Sequence, residues 1–487
     1  MLFNSVEFAL FFPIVAILYF LISHRYRWIF LLFASCVFYM SFIPAYILIL
    51  AALILIDYCM AILIEKFYSK RKLFLILSIF STSLALFIFK YFDFFNSIIG
   101  SLANALNWNY SAGSLGLILP LGLSFHTFQS LSYIIEVYRG RQKAERNLGI
   151  LALYVMFFPQ LVAGPIERPY NLIHQFYEKH KFVYQRVVGG LKLMVLGLFK
   201  KMVIADTLAL FVNEVYGNPT HYEGMSLIIA TIFFAFQIYY DFSGYSDIAI
   251  GSAQVLGFTL MDNFKNPYLS RSIPEFWTRW HISLSSWFRD YLYIPLYMTL
   301  PFRGSKAKIP TIFLIIMIVF LVSGLWHGAN WTFVVWGALN GLYYIIGLAT
   351  ARLWKKMAAF LQIALTFSLF SFSLIFFRAK SMQDAFYIIS HLFSGIPASL
   401  LSTFAYLPRL DFQKNVFLGQ PLYELVIIIF AFGFLAWIYF LQKNESYKNL
   451  FASKPLWLRW SFYYILIFST IFLSALNNNI QFIYFQF

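Results

Sequence analysis

Charged residues are scarce in this chain, which has 487 residues, of which only 11% are charged and 61% are hydrophobic. An ordinary soluble domain has about 25% charged residues. Cysteine is almost absent too, because Cys36 and Cys59 are the only two and both lie in apolar runs. This composition excludes a soluble globular protein, a disulfide framework and a CxxC metal or redox site.

The common catalytic motifs are also missing. The chain contains no GxSxG nucleophile elbow, no Walker loop, no HExxH zinc helix and no GxGxxG turn. None of the eight histidines is followed five positions later by aspartate, which excludes the HxxxxD arrangement of soluble-type glycerolipid acyltransferases. We therefore expect no metal site and no bound cofactor.

Long apolar runs are what the chain has instead. Runs near or above the length that crosses a bilayer include Val6–Leu21, Ala45–Ile64, Leu73–Phe89, Ile309–Leu325 and Leu422–Phe440. Lipid offers the backbone no hydrogen-bond partners, and these runs are longer than the segments of an outer-membrane barrel. The pattern predicts an all-α polytopic integral membrane protein with roughly eleven or twelve transmembrane helices plus re-entrant or interfacial helices. We expect a single transmembrane domain over residues 1–487.

Basic residues orient this bundle, because lysine and arginine collect in cytoplasmic loops. Loops 24–28, 65–72 and 139–147 are rich in these residues, whereas loops 41–46 and 96–114 contain none. The alternation predicts that the N-terminus lies outside the cytoplasm, and we expect a multi-pass protein of the cell inner membrane. The formal net charge of +16 is spread over many short loops, which indicates contact with lipid headgroups and not nucleic-acid binding.

Polar residues within the apolar sequence form three groups, the first of which is Tyr239–Asp247. An ionisable side chain at membrane depth costs at least about 2.5–3.5 kcal/mol, so it needs a reason to be there. Helical spacing places Ser243 with Asp247 on one face and Asp241 with Tyr245 on another. Two interpretations remain open: a polar wall that lines a substrate passage, and a hydrogen-bond network that holds helices together.

The second group, Phe276–Asp290, combines tryptophans with charged residues. Apolar side chains recur there at helical spacing beside a polar row that includes Arg279. The pattern predicts an amphipathic helix that lies at the cytoplasmic interface or re-enters the membrane from it. His281 on this helix is either structural or catalytic.

The third group, Ser323–Trp331, lies between two apolar runs and contains His327. Gly324 and Gly328 flank the histidine, and small residues permit a bend or a close approach of two backbones. We therefore predict that His327 lies at a helix interruption that opens on a cavity. A neutral imidazole placed there takes a proton from an attacking hydroxyl group; a histidine buried only for packing is the alternative.

At these motifs the chain resembles the membrane-bound O-acyltransferase family. The similarity is greatest to its bacterial branch of alginate O-acetylases, and the D-alanyl transfer protein of teichoic acid is a more distant relative. The segments that carry the resemblance are, in order, Met1–Ser5, Leu119–Phe125, Phe158–Ile166, Tyr240–Asp247, Phe276–Ser285, Gly324–Gly328 and Phe482–Phe487. The resemblance implies a ring of helices around a central funnel, with a tunnel that joins a cytoplasmic donor to an extracytoplasmic acceptor.

The resemblance also implies functional residues. His327 corresponds to the family's characteristic histidine and is expected to be the catalytic base, while His281 is expected to assist the chemistry or to order the passage. We expect substrate contacts from the polar and aromatic residues near them, which are Asp241, Asp247, Tyr240, Asn330, Arg279 and Trp326.

The implied reaction is O-acetylation of an extracytoplasmic polysaccharide, such as an alginate-like exopolysaccharide, peptidoglycan or another envelope glycan. Acetyl-CoA is the expected donor. The chain has no SGNH-type hydrolase motif, so a separate extracytoplasmic SGNH-type acetyltransferase is the expected partner. Transfer of a D-alanyl or another acyl group is the nearer alternative. A non-catalytic transporter or flippase is the alternative of another class, although the sequence lacks the paired repeats typical of transporters.

Overall fold

A computed structural model gives the fold of the chain and describes residues 1–162, 164–299, 308–394, 418–443, 455–474 and 482–483. Within these ranges the regular secondary structure is helical, without strands. The α-helices are, in chain order, α1 Val6–Leu21, α2 His24–Met40, α3 Tyr46–Lys66, α4 Arg71–Leu86, α5 Phe92–Ala105, α6 Leu123–Tyr138, α7 Leu148–Met156, α8 Pro169–Leu172, α9 Tyr184–Leu198, α10 Asp206–Gly217, α11 Met225–Leu256, α12 Ile273–Arg279, α13 Ile282–Phe288, α14 Ile294–Thr299, α15 Lys308–His327, α16 Trp331–Ala349, α17 Ala351–Trp354, α18 Ala359–Arg378, α19 Met382–His391, α20 Leu422–Lys443 and α21 Leu456–Ser474.

Six helical runs in the described part are long and apolar enough to cross a membrane: Tyr46–Lys66, Tyr68–Ala105, Met225–Leu256, Ile309–His327, Trp331–Ala349 and Ala359–Arg378. Shorter apolar helices add Val6–Leu21, Leu422–Trp437 and Tyr463–Leu473. The prediction of an all-α polytopic membrane protein is confirmed. The total of eleven or twelve spans stays a prediction, and residues 303–307 of the basic loop before α15 lie outside the described residues.

In the described part of the chain, three π-helical turns interrupt the α-helices, and each contains at least one basic residue. Phe87–Tyr91 joins α4 to α5, Phe199–Ala205 joins α9 to α10, and Arg289–Tyr293 joins α13 to α14. A π turn inserts an extra residue into the helix and so redirects the side chains around it, which is why such turns often occur at functional sites. The lysines and arginine in these turns therefore lie where regular helical spacing would not place them.

The central helix is α11, whose side chains contribute to two buried clusters. Phe242 and Tyr245 belong to a cluster built mainly from the first half of the chain, and Phe234 belongs to one built with α10, α12 and α18. α9 runs closely along α11. A Cβ at Gly197 would lie 2.5 Å from the backbone oxygen of Gly244. Glycine at these two positions therefore lets the two helices touch backbone to backbone.

The segment predicted as one amphipathic helix over Phe276–Asp290 consists instead of α12, α13 and the start of a π turn, with a break at Trp280 and His281. Asn263, a buried residue from the preceding loop, causes the break by supplying hydrogen bonds to the new helix. Its backbone oxygen accepts from the Ile282 amide at 2.9 Å. Its side chain accepts from the Ser283 hydroxyl at 2.6 Å. The start of α13 is thus hydrogen-bonded to a residue about twenty positions earlier in the sequence.

Candidate active site

His327 is the last residue of α15, and the chain leaves the helix before α16 begins at Trp331. This agrees with the predicted helix interruption. The imidazole is buried, with 7% of the residue exposed. Since α15 rises by about 1.5 Å per residue, His327 lies about 28 Å along the helix from Lys308, close to the full thickness of a bilayer core.

Aromatic rings surround the His327 imidazole. The ring centroid of Trp326 lies 4.8 Å away, that of Trp336 on α16 lies 5.0 Å away, and that of Phe377 on α18 lies 5.2 Å away. All three rings meet the imidazole edge to face. Three helices therefore fix one catalytic candidate in an apolar surrounding from which water is largely excluded.

Close packing of α15 on α16 sets the depth of His327. A Cβ on Gly324 would lie 2.3 Å from the backbone oxygen of Phe333, and one on Gly337 would lie 2.4 Å from that of Phe320. Only glycine fits at such distances. The expected close approach of backbones at Gly324 is therefore present, and it holds the end of α15 against α16.

His281 lies between α12 and α13 and is buried, with 1% exposed. Its backbone is left-handed, with φ at 42°, which is strained for a residue with a side chain. The ring packs edge to face on Phe242 of α11 at 4.6 Å. Neither ring nitrogen has a hydrogen-bond partner among the described residues. Unpaired buried nitrogens are unfavourable in a folded protein, so they are a feature of a binding position.

The two histidines are neighbours through Trp326. The Trp326 ring lies 6.3 Å from the imidazole of His281 and 4.8 Å from that of His327. Trp326 itself stacks on Phe128 of α6 at 5.1 Å. The structure thus brings together three residues that the sequence analysis selected from two separate motifs.

A cavity of about 520 Å³ lies between the α12–α14 segment and helices α15 and α16. Arg289, whose side chain is 65% exposed, lies at its rim. Ser323, a buried residue one helical turn before His327, also lines it. The cavity is therefore lined both by an exposed basic residue and by a residue one helical turn from the candidate base.

The predicted substrate-binding aspartates are paired with lysines. Asp241 lies 2.8 Å from Lys201, which also pairs with Asp206 at 2.7 Å. The second carboxylate oxygen of Asp241 accepts a hydrogen bond from the Ile483 amide at 2.7 Å. These contacts are of the kind expected for a polar network that holds helices together. The assignment of Asp241 to a substrate passage stays a prediction.

The other predicted contact residues have separate local roles. Asp247 pairs with Lys200 at 2.6 Å, and Tyr240 packs against Phe432 at 5.6 Å. Asn330 caps α16, because its side-chain oxygen accepts from the Thr332 amide at 3.1 Å. Arg279 pairs with Glu275 at 2.6 Å. Of the six predicted contact residues, Trp326 is the one whose ring packs on the His327 imidazole.

Lys90, which was not predicted as a site residue, adjoins the site from the π turn before α5. Its Nζ donates to the backbone oxygen of Trp326 at 2.6 Å and to that of His327 at 3.1 Å. The hydroxyl of Tyr91 donates to the backbone oxygen of Leu325 at 3.0 Å. A lysine directly after the apolar run Leu73–Phe89 was the signal that could have revealed it. Among the described residues no cluster of His, Cys, Asp and Glu suitable for a metal ion occurs.

Comparison with known proteins gives a match to the family model described as MBOAT, membrane-bound O-acyltransferase family, over residues 147–389. This range includes α11, both histidines and the cavity between α12 and α16. The match therefore falls on the part of the chain that builds the candidate site.

Individual relatives extend the similarity over most of the chain. A probable alginate O-acetylase of Pseudomonas aeruginosa is 36% identical, covering 87% of this chain and 83% of that protein. A peptidoglycan O-acetyltransferase of Helicobacter pylori is 30% identical, covering 94% and 91%. A teichoic acid D-alanyltransferase of Streptococcus thermophilus is 30% identical but covers 49% of this chain and 59% of that protein.

Proposed function

Because the chain belongs to the membrane-bound O-acyltransferase family and is therefore an acyltransferase, we propose that it transfers acetyl from cytoplasmic acetyl-CoA to a hydroxyl group outside the cytoplasm. The observation that carries the proposal is the position of His327. The residue ends α15 inside an aromatic surrounding, about one bilayer thickness from the start of the helix.

His327 acts as the general base in this proposal. Its imidazole takes the proton from the attacking hydroxyl group while the hydroxyl oxygen bonds to the thioester carbonyl carbon. The carbon–sulfur bond then breaks, and the proton passes to the departing thiolate. The reaction thus produces an ester and a free thiol and consumes no further reactant. General-base assistance accounts for roughly 10²–10⁴-fold of rate.

The cavity between α12 and α16 is the proposed donor path. A thioester arm that enters beside Arg289 would bring its carbonyl group towards Ser323, one turn from His327. An arginine at the rim suits the phosphate groups of coenzyme A. Burial of Ser323 would keep water away from a thioester held beside it and so protect the thioester from hydrolysis.

His281 is the second functional histidine of the proposal. A buried imidazole whose two nitrogens have no partner in the described part of the chain can form a hydrogen bond with a substrate oxygen without losing another. Its strained backbone supports a role in binding, since strain of this kind is retained where function requires it. We assign it to orienting the acyl group beside His327.

The proposed acceptor is an extracytoplasmic glycan, reached through a separate SGNH-type acetyltransferase. The relatives that cover most of this chain are named for alginate and for peptidoglycan, which supports acetyl transfer to a polysaccharide. The D-alanyltransferase relative covers only about half of the chain, so D-alanyl transfer is the second candidate. We propose that the protein lies in the inner membrane with its N-terminus outside, as the loop charges indicate.

Labelled acetyl-CoA tests this function. Membranes that contain this protein and its genomic SGNH-type neighbour are incubated with the donor, and label in the partner and in glycan is measured. We expect transfer by wild type and none by His327→Ala. His174→Ala, which removes an exposed histidine far along the chain, is the control and should keep wild-type activity. Equal activity of wild type and His327→Ala would exclude His327 as the base, and labelling only by a D-alanyl donor would favour the second candidate.

A further inference from the structure

Two consecutive residues of one helix, Lys90 and Tyr91, donate hydrogen bonds to three consecutive backbone oxygens of α15. These oxygens belong to Leu325, Trp326 and His327, and the distances are 3.0, 2.6 and 3.1 Å. The donors and acceptors are more than 230 positions apart in the sequence. Both donors thus act on the turn of α15 that carries His327.

Both donors lie on the π turn Phe87–Tyr91. On a regular α-helix adjacent side chains point about 100° apart and do not share a face. The wider π turn alters that spacing at the position where both side chains must reach α15. The π turn thus coincides with the two residues that contact α15.

The acceptors explain why a lysine is present at this depth. The last backbone oxygens of a helix lack partners within the helix, and together they carry a partial negative charge. Many helices complete these groups with a glycine in the left-handed conformation. Gly328, directly after His327, does not have a positive φ. The ammonium group of Lys90 supplies hydrogen bonds and positive charge to this helix end from another helix.

We propose that Lys90 and Tyr91 are positioning residues for the catalytic histidine, which hold the last turn of α15 by its backbone oxygens and so fix the direction of the His327 imidazole. The proposal rests on the proposed role of His327 as general base. Aromatic contacts restrain the ring, while Lys90 and Tyr91 restrain the backbone that carries it. Displacement of the imidazole by about 1 Å lowers the reaction rate by as much as 100-fold.

Steady-state kinetics of three variants test the proposal. Lys90→Met keeps most of the length of the side chain but removes its hydrogen bonds, and we expect kcat to fall by about 100-fold with little change in the KM for acetyl-CoA. Lys90→Arg, which can still donate to backbone oxygens, should recover most of this loss. Tyr91→Phe removes one hydrogen bond and should have a smaller effect in the same direction.

Lys192→Met is the matched control. It removes a lysine that lies over the Tyr463 ring on another helix, with 4.4 Å from Nζ to the ring centroid. This variant should keep wild-type kcat. Wild-type kcat in Lys90→Met, or failure of Lys90→Arg to restore activity while both variants fold with wild-type melting temperatures, would overturn the proposal.

A chemical readout separates this proposal from the acyltransferase function. Diethyl pyrocarbonate modifies histidines, and mass spectrometry of the peptide measures the rate at His327. We expect faster modification of His327 in Lys90→Met than in wild type, with an unchanged rate at the exposed His174. If wild type transfers no acyl group, the proposed function fails and the modification rates still test Lys90. An unchanged rate at His327 would overturn the positioning role.

Discussion

Lys201 and Asp241 form an ion pair of 2.8 Å that joins the π turn Phe199–Ala205 to α11, and both side chains are less than 5% exposed. The same ammonium group pairs with Asp206 at 2.7 Å. One buried cation therefore serves two carboxylates from two helical segments. Asp241 immediately precedes Phe242, the ring against which His281 packs. The ion pair thus involves the residue next to the ring that packs on His281.

Removal of Lys201 should destabilise the protein more than removal of Asp241. Lys201→Met leaves two buried carboxylates unpaired, and loss of one partner from a buried pair costs about 3–5 kcal/mol. In Asp241→Asn, Lys201 keeps Asp206 as its partner. The free energy of unfolding or the melting temperature in detergent measures both effects.

The double variant Lys201→Met, Asp241→Asn distinguishes the two interpretations of Asp241. If the pair acts as a unit, the double variant is less destabilised than the sum of the single variants. Lys192→Met controls for the loss of a lysine elsewhere. Strictly additive losses, together with a raised KM in a stable Asp241→Asn protein, would instead favour the substrate-passage interpretation.

A methyl group at Gly337 should separate α15 from α16. Its Cβ would lie 2.4 Å from the backbone oxygen of Phe320, which cannot move independently of its helix. We expect Gly337→Ala to reduce stability by about 1–3 kcal/mol and to reduce kcat, since α15 carries His327. Gly433→Ala is the control, because no atom outside the neighbouring backbone of its own helix lies within 4 Å of its added Cβ. Equal melting temperatures and equal kcat in the two variants would contradict the packing argument.

The sequence was most informative where the pattern is local. The apolar run Val6–Leu21 coincides with α1, and the run from Ile309 ends within two residues of the observed end of α15. Insertion into lipid requires a continuous apolar segment, so the lengths of these helices can be predicted from the sequence. The interruption at His327 was also predicted from a local pattern, because polar and glycine residues are concentrated there.

Contacts between distant residues could not be derived from the pattern. The break at His281 depends on hydrogen bonds from Asn263, and the end of α15 depends on Lys90. Helical periodicity describes which residues share a face but not which other helix that face meets. Asp241 illustrates the limit, since its spacing fits both a passage wall and the ion pair with Lys201 that the structure shows.

Glu167 should make stability depend on pH. This residue lies in the loop before α8, is 1% exposed and accepts a hydrogen bond from the Met261 amide. Burial raises the pKa of its carboxyl group from 4.5 to about 7. A raised folded-state pKa means that the stabilising contribution is complete below about 4.5 and is lost as the pH rises through about 7.

Glu167→Gln should remove this pH dependence, because the amide oxygen still accepts from Met261 and cannot ionise. Melting temperatures measured from roughly pH 5 to pH 9 should fall for wild type and fall less for the variant. The control is Glu178→Gln, whose side chain is 58% exposed and which should follow wild type. Parallel curves for wild type and Glu167→Gln would show that this carboxyl group does not titrate in the folded protein over that range.

Substitutions of Arg289 and Ser323, which both line the proposed donor path, should change different kinetic properties. Arg289→Ala removes a rim charge, and we expect the KM for acetyl-CoA to rise by about 5-fold at low salt, the equivalent of roughly 1 kcal/mol, with less effect at high salt. Ser323→Phe fills the part of the cavity beside the buried Ser323 and should abolish transfer, whereas Ser323→Ala, which leaves the space open, should stay active. If Ser323→Phe is stable and active, the thioester does not reach His327 through this cavity.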